Sequence, residues 1–377
     1  PRAIPLLVDL LGQETNPTLI DTLQQALAST GTNSLPALRN LNQAIHNDLA
    51  ALVNSETGRK TANLRLRATK QAIAKVLNIY SGRLQNSNLQ RIDLSSVTAG
   101  EGEFNLILEQ VDLSGLNLRS SLLRDSDFYK SIFYSAGKDR RLGTFDDVTS
   151  DFSGADLQGA NLSETLLNKA KFKRANLIQV NLSKANISEA NFQQANLSSA
   201  KLIAVNGQYS QFKQASLTGA DLTKSDFTSS NWQSANLGKS SAIGTKFIQS
   251  NLQQSNWQGA DLSQTDFTNS DLSSTDLSYS QLRAAKLQNV NLTNANLSYA
   301  DLSSADLRGA NLKNANFLGV VLVESIKSNI DSFMPTPTSQ SAVKIQGVDF
   351  SEVKNLSDEQ IEFICNNGGY HPFCRNR

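Results

Sequence analysis

Two cysteines, two histidines and one dense run of cations are the residues of this chain whose types could do chemistry. Cys365 and Cys374 close the sequence Cys365-Asn366-Asn367-Gly368-Gly369-Tyr370-His371-Pro372-Phe373-Cys374. Their spacing suits a disulfide that pins a short loop, worth about 2–3 kcal/mol through loop entropy and at home in an oxidising compartment. It equally suits two reduced thiols of a cytosolic protein. A metal site of Cys365, His371 and Cys374 would lack both a fourth ligand and a standard zinc spacing. No Ser/His/Asp or Cys/His set can be assembled around His46 or His371, and no glycine-rich phosphate loop is present. The sequence therefore reads as a non-enzyme without metal or cofactor. The cations are Arg59, Lys60, Arg65, Arg67, Lys70 and Lys75, with no acid from Arg59 to Lys75. They form either a solvated helix face or a contact surface for an anionic membrane or acidic partner. A nucleic-acid surface would want interleaved aromatics, which this run lacks. A second cluster, Lys169, Lys171, Lys173 and Arg174, lies in very different sequence.

That different sequence repeats every five residues in one register from about Ser150 to Leu322, and such periodicity decides the fold. Phe152, Leu157, Leu162, Leu167 and so on to Phe317 and Leu322 make 35 repeat centres, of which only Gly207 and Ala242 lack a large apolar side chain. A small or short residue sits two positions before most centres, as at Ala155, Ala160 and Ala170. A period of five smears around a helix and throws alternate centres onto opposite faces of a strand. It works if the chain turns once per repeat, so that the centre and the residue two before it point inward and three polar positions point out. Four such sides make a coil of 20 residues. Rings recur at that interval: Phe152, Phe172, Phe192, Phe212 and Trp232 in one series, Phe227, Phe247 and Phe267 in another. These eight are the predicted structural core, stacked coil on coil. Gly207 falls between Ile187 and Phe227, which predicts a dent or a shifted ring there.

Stretches such as Ala155-Asp156-Leu157-Gln158-Gly159-Ala160-Asn161-Leu162 resemble the pentapeptide-repeat family. The resemblance implies a mainly β protein: a right-handed quadrilateral β-helix, four repeats per coil, with a Leu/Phe core. Nearly nine coils at the usual strand spacing would run roughly 40 Å. Upstream, Leu84, Leu89 and Leu94 keep the spacing, as do Leu113, Leu118, Leu123, Phe128 and Phe133, but the register slips between 94 and 113 and between 133 and 152. Three domains follow: helical residues 1–83; a β-helix over 84–350, with a regular core at 150–322 and loops near 134–144 and 323–344; and a C-terminal helical cap over 351–377. In the first, Ile4, Leu7, Val8 and Leu11 fall at helical spacing, Asn16-Pro17 opens a second helix and Gly31 stops it. A third helix runs through Leu38, Leu41, Ile45, Leu49 and Leu52, and a fourth over Ala62–Tyr80. The opening helices resemble a HEAT-type pair, and the segment reads as a cap over the solenoid's open end. Ser357-Asp358-Glu359-Gln360 reads as a capping box that opens the C-terminal helix.

Charge bounds the function. The formal net charge is +1, and residues 152–322 carry 14 Lys/Arg and 11 Asp/Glu. Some pentapeptide-repeat proteins are acidic rods that resemble duplex DNA and occupy DNA gyrase; this balance argues against that role. Nine of the 11 acids, Asp156 and Asp221 among them, sit just before a centre, where Asn also occurs, so they read as turn residues bonding nearby backbone. The family resemblance implies a bacterial, especially cyanobacterial, structural and interaction module presenting polar walls to a protein partner. Two alternatives stand beside it: a regulator of a nucleic-acid enzyme, and a membrane- or envelope-associated spacer. The chain opens at Pro1 without a methionine, which suggests a piece of something longer and leaves room upstream for a membrane anchor.

Overall fold

The computed structural model describes residues 2–52, 55–99, 102–323 and 342–376. It divides into two compact units, Pro1–Asn196 and Leu197–Arg377.

The first unit opens with four helices: α1 (Ile4–Gln13), α2 (Pro17–Ser29), α3 (Leu35–Ala51) and α4 (Glu56–Ile79). Asn16 caps α2 by accepting from the backbone N–H groups of Thr18 and Leu19, with Pro17 at the first helical position. Such caps satisfy donors that no helix can satisfy itself. Ser55 caps α4 through Gly58 N–H, so α4 begins six residues before the predicted Ala62. Its buried side carries Leu66, Ile73, Val76 and Leu77 and packs against α2 and α3.

After α4 the chain forms short rungs. Isolated parallel bridges join Ile107 to Asp127, Asp151 to Lys171, Asp156 to Asn176, Asn161 to Asn181 and Leu166 to Asn186, each 20 residues apart. Each repeat supplies one rung and one turn. In the turn, the centre's carbonyl accepts from the residue three on, as Phe152 O does from Ala155 N–H at 2.9 Å. The third turn residue is left-handed, with φ of 69° at Gly154 and 57° at Glu164. Glycine takes that conformation at little cost, yet Gln, Ser, Lys and Asn hold it at most repeats; the coil-to-coil ladder on both sides fixes the turn.

The two register slips are insertions. Asn88 pairs with Asn117, a step of 29, because a hairpin of β1 (Val97–Ala99) and β2 (Gly102–Phe104) intervenes. Asn117 pairs with Asp151, a step of 34, around a second insert. It leaves on β3 (Tyr134–Ser135) and returns on β4 (Val148–Thr149), paired antiparallel. The predicted loop at 134–144 thus extends to residue 149 and is closed by a two-residue ladder.

α3 covers the first rung with side chains that satisfy its backbone. Asn42 Nδ2 donates to Asp93 O at 2.7 Å while Asp93 N–H donates to Asn42 Oδ1 at 2.8 Å. Arg39 and Gln43 donate to the carbonyls of Asn88 and Gln90. An open rung is a template for foreign strands, and covering it removes that hazard.

The second unit continues the 20-residue bridges from Lys201–Asp221 to Asp301–Val321. The predicted loop over 323–344 falls almost wholly on residues outside the described ones; its flanks, Val323 and Ala342, form an antiparallel bridge. Rungs resume as Asp306–Lys344 and Asn316–Lys354. Then α5 (Asp358–Asn366) opens with the predicted capping box, Ser357 with Gln360. Gln360 Nε2 also donates to Val320 O at 2.9 Å, and Ile364 is fully buried. A last rung pairs Asp349 with Tyr370.

Every ring of the predicted core is buried at 0 % exposure. In the first unit Phe152, Phe172 and Phe192 stack face to face at 4.8 and 4.7 Å. In the second, Phe212 and Trp232 stack at 4.0 Å, and Phe227, Phe247 and Phe267 at 5.7 and 5.4 Å. The two series also meet edge to face, Phe227 with Trp232 at 4.9 Å. Trp257, absent from the predicted list, joins edge-on to Phe247 at 5.4 Å. At Gly207 the ring does shift: Phe227 occupies the space that a Cβ there would need. Gly207→Leu, which would restore the repeat consensus, is therefore expected to destabilise the fold by about 1–3 kcal/mol through overpacking. A thermal melt checks this, and an unchanged midpoint would mean that Phe227 is free to move away.

Candidate interaction surfaces

The residues that could have done chemistry are engaged structurally. Cys365 and Cys374 are joined, with Cα atoms 5.3 Å apart, and tie the end of α5 to the C-terminal turn. The His371 ring is buried and packs on Phe373 at 5.3 Å. Among the described residues no group of three His, Cys, Asp or Glu side chains is placed to hold a metal.

The cationic run on α4 needs a correction. Lys70 is not a surface residue: its side chain is 1 % exposed. It donates to Asp93 Oδ1 at 2.9 Å and to Ser95 O at 2.8 Å. His46 Nδ1 lies 3.0 Å from the other Asp93 oxygen. Lys70 faces the first coil because it sits four residues after Leu66 and three before Ile73, on the buried side of α4. Burial pushes its pKa down while Asp93 opposes the shift. Burial would likewise push Asp93 up, but Lys70 and Ser95 outweigh it and hold the carboxyl below its ordinary range. Lys60 and Lys75 are paired with Glu56 and Asp21. What remains of the run is not a continuous cationic face.

The carboxylates of the repeats do hold turns. Asp221, Asp261, Asp266 and Asp301 each accept from the backbone N–H two residues on, at 3.0–3.1 Å. They also reach the neighbouring coil, a role the sequence reading missed. Along one column the signs alternate through Asp226, Lys246, Asp266, Lys286 and Asp306, with Lys286 donating to Asp266 at 3.1 Å. Asn side chains form equivalent ladders, Asn316 to Asn296 at 3.0 Å and Asn296 to Asp276 at 3.2 Å. For Asp226, Asp266, Asp271 and Asp301, burial alone would raise the pKa, but bonds from Thr, Ser, Gln, Lys and Arg neighbours win and lower it. At Asp306 the bond from Arg308 is the largest influence, in the same direction. Depressed carboxyl pKa values contribute stability that is complete above the unfolded value of about 4 and lost as pH falls through the folded values. The melting temperature should therefore hold steady from about pH 7 to about pH 5 and drop below about pH 4. A fall already between about pH 7 and about pH 5 would contradict this assignment.

Two columns of the second unit carry little charge, and one of them also bears exposed aromatic rings. Around the centres Leu197, Leu217, Leu237, Trp257, Leu277, Leu297 and Phe317, the outward positions within this unit carry one acid, Asp276, and one base, Lys239. Among the described residues the columns of Leu202 to Leu322 and of Gly207 to Leu307 carry three acids and three bases each, and the column of Phe212 to Leu312 carries one acid, Asp271, and two bases, Lys213 and Lys313. The Leu197–Phe317 column is surfaced by Ser, Thr, Asn, Gln and Gly, and near its end it bears two exposed rings, Tyr279 and Tyr299, stacked at 5.0 Å. Exposed Leu318 adjoins them, its carbonyl accepting from Tyr299 N–H at 2.8 Å.

Comparison with known proteins agrees with this architecture. The model of the family "Pentapeptide repeats" matches in eight copies, over residues 150–188, 185–223, 208–241, 245–278 and 275–314. Residues 150–241 and 245–314 are thus pentapeptide repeats, which imply a right-handed β-helix solenoid over that segment, and helices precede it. Similar solved structures include HetL, a pentapeptide repeat protein involved in heterocyst differentiation regulation from the cyanobacterium Nostoc sp. strain PCC 7120. It is 25 % identical, covering 58 % of this chain and 85 % of that one, with a TM-score of 0.22. QnrB1, a plasmid-mediated fluoroquinolone resistance protein, is 20 % identical over 57 % of this chain and 87 % of its own, with a TM-score of 0.29. A pentapeptide repeat protein from the Arabidopsis thaliana thylakoid lumen is 28 % identical over 40 % and 80 %, with a TM-score of 0.19. No curated protein matches the chain. The solenoid is a protein-interaction type of module, and proteins of this family are generally non-enzymatic.

Proposed function

We propose that this chain is a non-enzymatic interaction module, that each of its coils is four-sided, and that the low-charge column bearing Tyr279 and Tyr299 in its second unit is the side that meets a protein partner. The observation that carries the reading is the contrast between columns. Two bind their own charges in ion pairs from coil to coil, two carry little charge, and of these only the Leu197–Phe317 column adds a stacked, exposed tyrosine pair among the described residues. Interface cores are depleted in charge and enriched in tyrosine, and extended solenoid surfaces are how repeat proteins bind. The helical segment 1–83 serves as the cap of the first coil, and 351–377 as the cap of the last.

The test is site-specific photo-crosslinking in an extract of the source cell. A photoreactive residue at Gln258 or Ser298, on the low-charge column, should capture one protein; the same residue at Gln288, on the column of alternating charge, should not. Capture of the same protein from Gln288 alone would sink the assignment. A regulator that imitates duplex DNA is disfavoured by the alternating signs, because duplex DNA offers a polyelectrolyte of one sign.

A further inference from the structure

The insert between β3 and β4 carries the most exposed apolar side chains of the first unit, on a neck that is held in place. Phe145 is fully exposed (101 %) and Leu142 is 66 % exposed. The neck is built on Asp147, whose side chain is 2 % exposed. Its Oδ2 accepts from Tyr134 Oη at 2.6 Å, Gly143 N–H at 2.9 Å and Lys169 Nζ at 2.8 Å, the last from the next coil. The other carboxylates of the insert turn to its own atoms: Asp146 accepts from Thr144 Oγ1 and Asp139 N–H, and Asp139 from Arg141 N–H. The cations Lys138, Arg140 and Arg141 are exposed around the tip, and among the described residues no ion pair engages them. The strand β4 leads straight into Asp151, which pairs with Lys171, so the second cationic cluster lies on the rung beside the insert. Lys171, Lys173 and Arg174 are exposed there, Arg174 bonding Gln194. Residues 138–151 and 169–174 together hold seven cations against four carboxylates.

We propose that this insert is a membrane-docking wedge: Phe145 and Leu142 enter the interface of an anionic bilayer, and Lys138, Arg140, Arg141 and the adjoining Lys171, Lys173 and Arg174 bind its headgroups. Two bare apolar side chains within a cationic rim are what an anionic lipid surface requires. A duplex would match the cations but leave Phe145 and Leu142 in water.

The experiment uses the full chain and two vesicle types: phosphatidylcholine containing phosphatidylglycerol, and phosphatidylcholine alone. Cosedimentation should find binding to the first, weakened by salt, and little to the second. Each cation near the surface contributes about five-fold to binding, so Arg140→Glu/Arg141→Glu should lose at least about 25-fold. Leu142→Ser/Phe145→Ser should lose at least about ten-fold. A Phe145→Trp variant gives a readout that needs no loss of binding: its emission should move to the blue with anionic vesicles. No binding to anionic vesicles, or wild-type binding by Leu142→Ser/Phe145→Ser, would overturn the proposal. So would emission of the Phe145→Trp variant that vesicles leave unchanged but duplex DNA or polyglutamate alters, which would reassign the surface to a soluble polyanion.

Discussion

Replacing Lys70 with alanine is expected to cost the first unit about 3–5 kcal/mol. Lys70 and Asp93 are an ion pair with 1 % and 7 % of their side chains exposed. Removing the ammonium leaves a carboxylate buried with its attraction gone, and a buried charge stripped of its partner is costlier than the pair is stabilising. Ser95 and His46 remain beside Asp93, so part of the loss is relieved. The comparison is Lys60→Ala in the same helix. Lys60 is 74 % exposed and, among the described residues, pairs with Glu56 one turn away; its loss should change stability by no more than about 0.5 kcal/mol. Urea unfolding followed on the helical signal separates the two. Equal midpoints would mean that Asp93 reaches water and that the helical segment is not fastened to the first coil through this pair.

Phe192→Ala is expected to cost about 3–5 kcal/mol. Phe192 is 0 % exposed and stacked on Phe172 at 4.7 Å with 4° between the planes. Its removal opens a cavity beside a rung fixed to the preceding coil, as Phe172 N–H is to Asn191 O at 2.7 Å and Asn191 N–H to Ala170 O at 2.9 Å, so the wall cannot collapse onto it. Gln193 beside it points outward, and Gln193→Ala should change the melting temperature little. A loss below about 1 kcal/mol at Phe192 would contradict the inward assignment.

The repeats were legible because five residues do one job each. The centre and the residue two before it are buried, and the 20-residue recurrence located the aromatic series and the shifted ring at Gly207; the left-handed corner two after the centre appears only in the structure. The caps at Asn16 and Ser357 were legible because capping is local chemistry. What the sequence hid was non-local. Lys70 sits in a run of cations, and its partner Asp93 lies 23 residues on, at a position where Asp normally holds a turn. The hairpin of β1 and β2 hid the repeat centre Leu108, since Val97–Phe104 carries no period of its own. α4 starts at Glu56, although Thr57-Gly58-Arg59-Lys60-Thr61 offers no apolar periodicity; a cap and the solvated end of a long helix suffice. The surfaces were least legible, because a column is defined by residues 20 apart and its charge pattern appears only once the coils are stacked.

That stacking is the claim on which the columns, the alternating charges and the low-charge wall all depend, and paired cysteines test it directly. Ser234 and Gln254 are 20 residues apart on adjacent coils, with Ser234 Oγ donating to Gln254 Oε1 at 3.4 Å. Ser234→Cys/Gln254→Cys should oxidise readily, since neighbouring rungs lie at about 4.8 Å and disulfides need Cα atoms about 4.4–6.8 Å apart. Ser234→Cys/Gln249→Cys, 15 residues apart, should stay reduced. Oxidation of the second pair in place of the first would contradict a 20-residue coil and every surface derived from it.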